Sequence, residues 1–344
     1  MSQVERQEAS LNRVLSELTE SLGGGTNSRY RLPWYLVMGV ENAGKTSLIN
    51  RSGQNFALTH VMKASGQSSK QGQLGFDWWI GDQAVLIDPD GELLTQGAME
   101  EGEPQALQSR LWDHFVGWLE RNRAQRPLDG VVLVLDLARL SHAQVAVRKA
   151  YAALLRSRLR ELMERHGTRL PVYVTFSKMD LLHGFDDFFR HYSRTARKAP
   201  LGFTFTPASM HTPGQWETEF EADYDAMLSR LNQLLPTMLS ECRDREERES
   251  VFRFVRQLAG LRDVLQGFFD RSALQRSLFR PPPWCAAPTL PRCISRAYRK
   301  TPSWMQRRAV TAWTIACSPR IGPLAVRCTL PKNSSKRSFI PRQG

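Results

Sequence analysis

Glycine, lysine and a hydroxyl at fixed intervals can hold phosphate. The run Gly39-Val40-Glu41-Asn42-Ala43-Gly44-Lys45-Thr46 fits GxxxxGK[ST] at every position. Gly39 and Gly44 permit a backbone turn that aims successive N–H groups at phosphate oxygens. The stretch 39–47, with Asn42, Ala43 and Ser47 among its members, is therefore the expected phosphate cradle. Lys45 is expected to reach the β- and γ-phosphates of a nucleotide, in a binding and a catalytic role, while Thr46 offers its hydroxyl to magnesium. A helix opening near Lys45 would add its positive N-terminal end.

Two further runs close apolar strands. Asp88-Pro89-Asp90-Gly91 follows the apolar residues 84–87, forty-three residues beyond Lys45. Asp88 is the expected magnesium-associated carboxylate, acting through water, and the N–H of Gly91 the expected γ-phosphate sensor. The next position, where small GTPases orient the attacking water with glutamine, is Glu92. Ser177-Lys178-Met179-Asp180 follows the strand at 172–176 and is similar to the guanine-recognition pattern (N/T)KxD. There Asp180 would accept from the ring N–H and exocyclic amine, and Lys178 would lie along the ring. Serine in the first position departs from the pattern. His60, His114, His142, His166, His183, His191 and His211 share no metal-ligand spacing, and GxSxG and HExxH are absent.

These residues need elements to position them. Apolar positions at Val4, Leu11, Val14, Leu15, Leu18 and Leu22 predict an amphipathic helix ended by Gly23-Gly24-Gly25. Residues 32–38 read as a strand running into the glycine loop. Residues 63–75, polar and rich in Gly and Ser, read as a mobile stretch. A hairpin is expected at 76–80 and 84–87 across Gly81-Asp82. Leu107, Leu111, Trp112, Phe115 and Leu119 mark a helix, and the continuous apolar run 131–135 suits a strand buried on both faces. A long helix over 143–166 carries its stripe at Val147, Tyr151, Leu155, Leu159 and Leu162, and a strand over 171–176 follows. Strands alternating with helices predict an α/β fold, a mainly parallel sheet flanked by helices of the P-loop NTPase-like kind. Helical periodicity over 220–239 and 245–269 predicts a helical extension, either packed on the sheet or a small appended domain. Trp78, Trp79 and Trp112 read as core or interface aromatics.

The net charge of +13 is not evenly spread. Residues 271–344 hold fifteen Lys and Arg and no Asp or Glu, leaving thirty-two basic and thirty-four acidic side chains before them. The body therefore offers no basic face for nucleic acid. The tail also holds ten of the nineteen prolines and four of the five cysteines, and neither period persists in it for long. A basic arm, a zinc module on Cys285, Cys293, Cys317 and Cys328, and out-of-frame translation of a GC-rich gene compete for it. The last is preferred, since no CxxC pair exists and acids are missing altogether. No apolar run approaches the eighteen or so residues that span a bilayer. The N-terminus has Glu5 and Glu8 early and no secretory apolar core, so the chain in hand is expected to be cytosolic. The expected organisation is a helix and linker over 1–30, a nucleotide-binding domain over 31–200, a helical extension over 201–279 and a basic tail over 280–344.

Leu32-Pro33-Trp34-Tyr35 before the loop, then Phe76-Asp77-Trp78-Trp79, resemble the pattern of the IcmF/TssM family of type VI secretion systems. So do Arg126-Pro127-Leu128-Asp129-Gly130-Val131, Pro171-Val172-Tyr173-Val174 and Lys178-Met179-Asp180-Leu181-Leu182, and the likeness covers roughly 30–280. The resemblance implies an inner-membrane subunit whose cytoplasmic domain lies between transmembrane helices. It also implies other membrane-complex subunits as partners and a place at the cytoplasmic face of the bacterial inner membrane, reached through parts absent from this chain. The family's DTAG is Asp88-Pro89-Asp90-Gly91 here, and Glu41 stands where small residues are usual. Glu41 and Asp90 would add negative charge near a triphosphate. The expected function is magnesium-dependent binding and slow hydrolysis of GTP or ATP as a switch. The rival is a docking domain whose loop survives as a fold element.

Overall fold

A computed structural model describes residues 2–51, 56, 75–96, 107–168, 170–190, 201–205, 215–269 and 312–317. Helix α1 (Gln3–Ser21) opens with a capping box: Ser2 Oγ accepts from Glu5 N–H, and the Glu5 carboxylate accepts from Ser2 N–H. Its buried stripe is Leu11, Val14, Leu15 and Leu18. A 3₁₀ turn (Thr26–Tyr30) leads to β1 (Trp34–Met38). Then come α2 (Lys45–Arg51), β2 (Phe76–Ile80), β3 (Val85–Pro89), α3 (Gly91–Thr95) and α4 (Leu107–Asn122). The chain continues with β4 (Gly130–Asp136), α5 (Leu137–His142), α6 (Val145–Arg165), β5 (Val172–Ser177) and a 3₁₀ turn (Met179–Leu181). Helix α7 (Phe185–Arg190), β6 (Gly202–Thr204), α8 (Gln215–Glu241), α9 (Arg245–Phe269) and β7 (Ala312–Cys317) complete it.

The strands form one sheet in the order β2-β3-β1-β4-β5-β7-β6. The β3-β1-β4-β5 centre is parallel, and the hairpin partner β2 adds an antiparallel edge, Phe76 to Ile80 opposite Pro89 to Val85. Strands β1, β3, β4 and β5 are buried at every position, as a sheet covered on both faces demands. The alternation along β1 divides the core. Trp34, Leu36 and Met38 join the larger cluster with α1, α4, α6, α8 and α9. Tyr35 and Val37 face the smaller one with Ile49 of α2, Trp79 and Tyr173. The architecture is therefore the expected α/β fold, a mainly parallel sheet flanked by helices.

Three details depart from the sequence reading, and one decides between its two alternatives. Val147 lies outside the buried stripe of α6, at 52% exposure; Ala152, Leu155, Leu159, Leu162 and Met163 form that stripe. Helices α8 and α9 are not an appended unit: Phe269 meets Phe176 of β5 at 6.2 Å, Phe268 meets Tyr151 at 5.7 Å, and both helices share the larger cluster. Strand β6 interrupts the stretch read as helical, being too short to show a period. Strand β7 pairs antiparallel with β5, Val172 opposite Cys317, and parallel with β6. It falls in the stretch read as lacking a lasting period. Its sequence, AWTIAC, is a short apolar run without alternation, which suits a strand inside a sheet and leaves no period to detect. The expected mobile stretch 63–75 lies outside the described residues apart from Gly75.

Candidate functional site

The glycine loop joins β1 to α2 at the carboxyl ends of the parallel strands, where open α/β sheets place their ligands. Two backbone positions give it its shape. Asn42 at φ +59° and Gly44 at φ +88° are left-handed on either side of Ala43, so the chain folds back within three residues. Ala43 N–H bonds Val40 C=O at 3.1 Å, and Leu48 N–H bonds Gly44 C=O at 2.9 Å to start α2. Gly39 is fixed by packing: a Cβ there would stand 2.7 Å from the Val134 carbonyl of β4.

Lys45 is buried and donates from Nζ to the Gly39 carbonyl at 3.1 Å, which curls its side chain over the loop. The same ammonium stands 3.5 Å from Asp88 Oδ1. Thr46 Oγ1 donates to the other carboxylate oxygen at 3.3 Å. Asp88 is buried near the end of β3, directly opposite Asp77 of β2. Burial raises its pKa to about 6; Lys45 and Thr46 oppose that rise and Asp77 adds to it. Among the described residues Asp88 Oδ1 accepts no hydrogen bond. A buried carboxylate oxygen without a donor, beside a threonine hydroxyl and an ammonium, fits a hydrated magnesium ion with a phosphate. Thr46, Asp88 and Lys45 are the side chains that would hold them.

Gly91 opens α3 against the loop. A Cβ there would overlap the Glu41 backbone nitrogen and come within 2.9 Å of its Cα. Only glycine allows this approach, which packs the start of α3 against the loop at Glu41. Asp90 turns away: its Oδ2 accepts from Gly75 N–H at 2.7 Å, and its own N–H bonds Gly75 C=O at 3.1 Å. Its charge is thus directed at the start of β2. Glu92, in the first turn of α3, is exposed, as are Asn42, Thr46 and Ser47 on the rim.

The third run reaches the loop through serine. Ser177 Oγ lies between the carbonyls of Ala43 and Leu135, at 2.5 and 3.2 Å, and its Cβ faces Gly44. The departure from (N/T)KxD therefore still ties β5 to the phosphate loop. Lys178 is left-handed at φ +58°, and its Nζ meets Asp136 Oδ2 at 2.6 Å. Asp136 caps α5 by accepting from Arg139 N–H at 2.9 Å. Asp180 is exposed on the 3₁₀ turn, whose Met179 is buried beneath it. The structure brings together Gly39, Ala43, Gly44, Lys45, Thr46, Asp88 and Gly91, with Lys178 joined through Ser177. It shows no bond from Asp180 or Glu92 to that group among the described residues.

Asp136 and Asp77 were missed by the sequence reading, and Ser177 was noted only as a departure. A signal existed for Asp136. It ends the apolar run Gly130–Asp136 with a carboxylate, as Asp88 comes at the end of β3.

The fold and the site together define an α/β protein, a mainly parallel sheet flanked by helices with a left-handed glycine loop between its first strand and the following helix. Residues 105–293 match the IcmF-related N-terminal domain. The type VI secretion system component TssM1 of Pseudomonas aeruginosa is 32% identical over 282 residues, 81% of this chain and 25% of TssM1. The chain belongs to the IcmF/TssM family and spans about a quarter of that relative's length. A crystal structure of a mutant S. thermophilus NFeoB bound to GDP superposes with a TM-score of 0.24 at 13% identity, covering 72% of this chain and 98% of that one. A score that low bears on neither fold nor function.

Proposed function

We propose that this domain binds a magnesium nucleoside triphosphate at residues 39–47, hydrolyses it slowly, and serves as a switch in a type VI secretion membrane complex. The observation that carries the reading is the convergence of Lys45 and Thr46 on the buried carboxylate of Asp88 at a left-handed loop. Magnesium, when bound, would neutralise phosphate charge. Lys45 would turn its ammonium from Gly39 C=O toward phosphate, Thr46 would give its hydroxyl oxygen to the metal, and Asp88 would hold a metal-bound water. Lys178 and Asp180 would meet the base. An exposed carboxylate at Asp180 accepts two hydrogen bonds side by side, which favours guanine over adenine.

The likeness to TssM1 supports partners among the other subunits of that complex and a position at the cytoplasmic face of the inner membrane. Among the described residues no helix is long and apolar enough to cross a membrane.

A second reading has its own observation. Lys45 already pairs with Asp88, Thr46 already bonds it, and Gly91 closes on Glu41, as a loop kept only for packing would allow. Turnover and binding separate the two. With Glu92 in the water-orienting position, unaided hydrolysis should be on the order of 10⁻³ per second, the rate of an unstimulated small GTPase. Magnesium-dependent retention of labelled nucleotide, lost in EDTA, supports the switch. No retention in either condition supports the scaffold. Turnover of about one per second, abolished by Lys45→Ala, would contradict the role given to Glu92.

A further inference from the structure

We infer that Gln257 and Ser250 of α9 are positioning residues for nucleobase recognition, holding in place the loop that carries Lys178 and Asp180. The inference rests on reading residues 178–180 as the base contacts. From Lys178 onward the backbone winds through consecutive turns. Leu181 N–H bonds Lys178 C=O at 3.2 Å, Leu182 N–H bonds Met179 C=O at 3.0 Å, and Phe185 N–H bonds Leu182 C=O at 3.2 Å. The loop and the start of α7 are thus one hydrogen-bonded unit. Within residues 178–182, Met179 and Leu182 are buried and Lys178 pairs with Asp136, while Asp180 and Leu181 are exposed.

Helix α9 supplies the rest of the support. The Gln257 side chain spans the His183 residue: its Oε1 accepts from His183 N–H at 3.3 Å and its Nε2 donates to His183 C=O at 3.1 Å. Both ends of an amide are needed for that pair, which glutamate lacks. Two turns toward the N-terminus of α9, Ser250 Oγ donates to Asp187 Oδ2 at 2.6 Å and stands 3.3 Å from His183 Nδ1. Gly184, at φ +79°, lies so close to α9 that a Cβ would overlap the Ser250 carbonyl. Below it the rings of Phe185, Phe188 and Phe189 lie 5.6, 5.2 and 5.5 Å from Phe254, and Arg190 pairs with Glu247 of α9. Contact therefore runs along α9 from Glu247 to Gln257. Helix α9 is itself tied to α8, through Tyr224 O–H to Leu258 C=O at 2.7 Å and Arg262 to Asp225 at 2.8 Å.

A loop held this way meets its ligand already ordered, so the ordering entropy is not charged to binding. The helical extension thereby governs base affinity, and a partner that shifts α8 and α9 would alter it without touching nucleotide. The Gln257 pair clasps the chain just after residues 178–180, so the effect should concentrate on the base and spare the phosphates.

The test titrates the full chain and its Gln257→Ala variant with magnesium GDP, magnesium IDP (which lacks the exocyclic amine) and inorganic tripolyphosphate. Loss of two exposed hydrogen bonds should weaken GDP about fivefold and bring the GDP-to-IDP preference toward one, with tripolyphosphate unchanged. Gln257 is half-buried, so the variant should fold. An unchanged preference, or equal weakening of all three ligands, would overturn the inference, since a merely structural role moves all three together. A parent without preference for GDP over IDP would overturn it as well. Lys45→Ala separates the premises: a parent and Lys45→Ala that bind alike remove the nucleotide reading itself, and the inference with it.

Discussion

Asp88 is held in conflict by its surroundings. Burial favours its neutral form, while Lys45 and Thr46 favour the carboxylate, and its pKa stands at about 6. A carboxyl raised above its ordinary value of 3.8 stabilises the fold fully below that value, and the contribution is lost as pH rises through about 6. Magnesium requires the opposite state. Metal-dependent nucleotide affinity should therefore fall about tenfold as pH drops from 7 to 5, following the ionised fraction of one group. Asp88→Asn should flatten that dependence. Titration at a series of pH values in saturating magnesium checks both, and a wild-type profile flat from pH 5 to 7 would refute the assignment. At this scale the sequence was generous, because Gly39, Gly44, Lys45, Thr46 and Asp88 each follow from a local pattern. Asp136 was harder, since its role depends on Lys178 forty-two residues away.

Between elements, the residues that announce the family do structural work. Trp34 meets Trp78 edge-on at 5.3 Å, and Trp78 meets Trp118 of α4 at 6.1 Å. Arg123, fully buried, lies over Trp34 at 4.5 Å, donates to the carbonyls of Arg29, Leu32 and Pro127, and pairs with Asp129 at 3.2 Å. Asp129 in turn accepts from Trp34 N–H at 2.7 Å. This corner joins the 3₁₀ turn, β1 and the end of α4, and so fixes the strand that launches the glycine loop. Arg123→Ala would leave the carbonyls of Arg29, Leu32 and Pro127 without this donor, while Asp129 keeps its pair with Arg126, and should destabilise the protein by roughly 3 kcal/mol, read by urea unfolding. Arg123→Lys should recover little of that, since one ammonium cannot span the same acceptors. A loss under about 1 kcal/mol would show that the corner tolerates solvent. Strands β1, β4 and β5 and the long helices were legible because their signals are local and periodic. The packing of α8 and α9 on the sheet was not, because it is decided by contacts such as Phe176 to Phe269 between residues far apart in the chain. Three residues of β6 are too few to show any period.

Across the whole molecule, charge and fold divide differently. The first 270 residues carry a net charge of −2, while the remainder is wholly basic. Yet Ala312–Cys317 of that remainder pairs with β5 and β6 inside the sheet. The glycine loop, Asp88 and the loop carrying Lys178 and Asp180 all lie at one end of the sheet, and α9 buttresses the last of them. The central claim is that this end holds a magnesium nucleotide. Calorimetric titration of the full chain with magnesium GTP and magnesium ATP, beside Lys45→Ala, tests it most directly. The account predicts saturable binding by the parent, weakened in Lys45→Ala by at least ~1.4 kcal/mol, which is tenfold in the dissociation constant. Equal heats and equal affinities for parent and variant would contradict it.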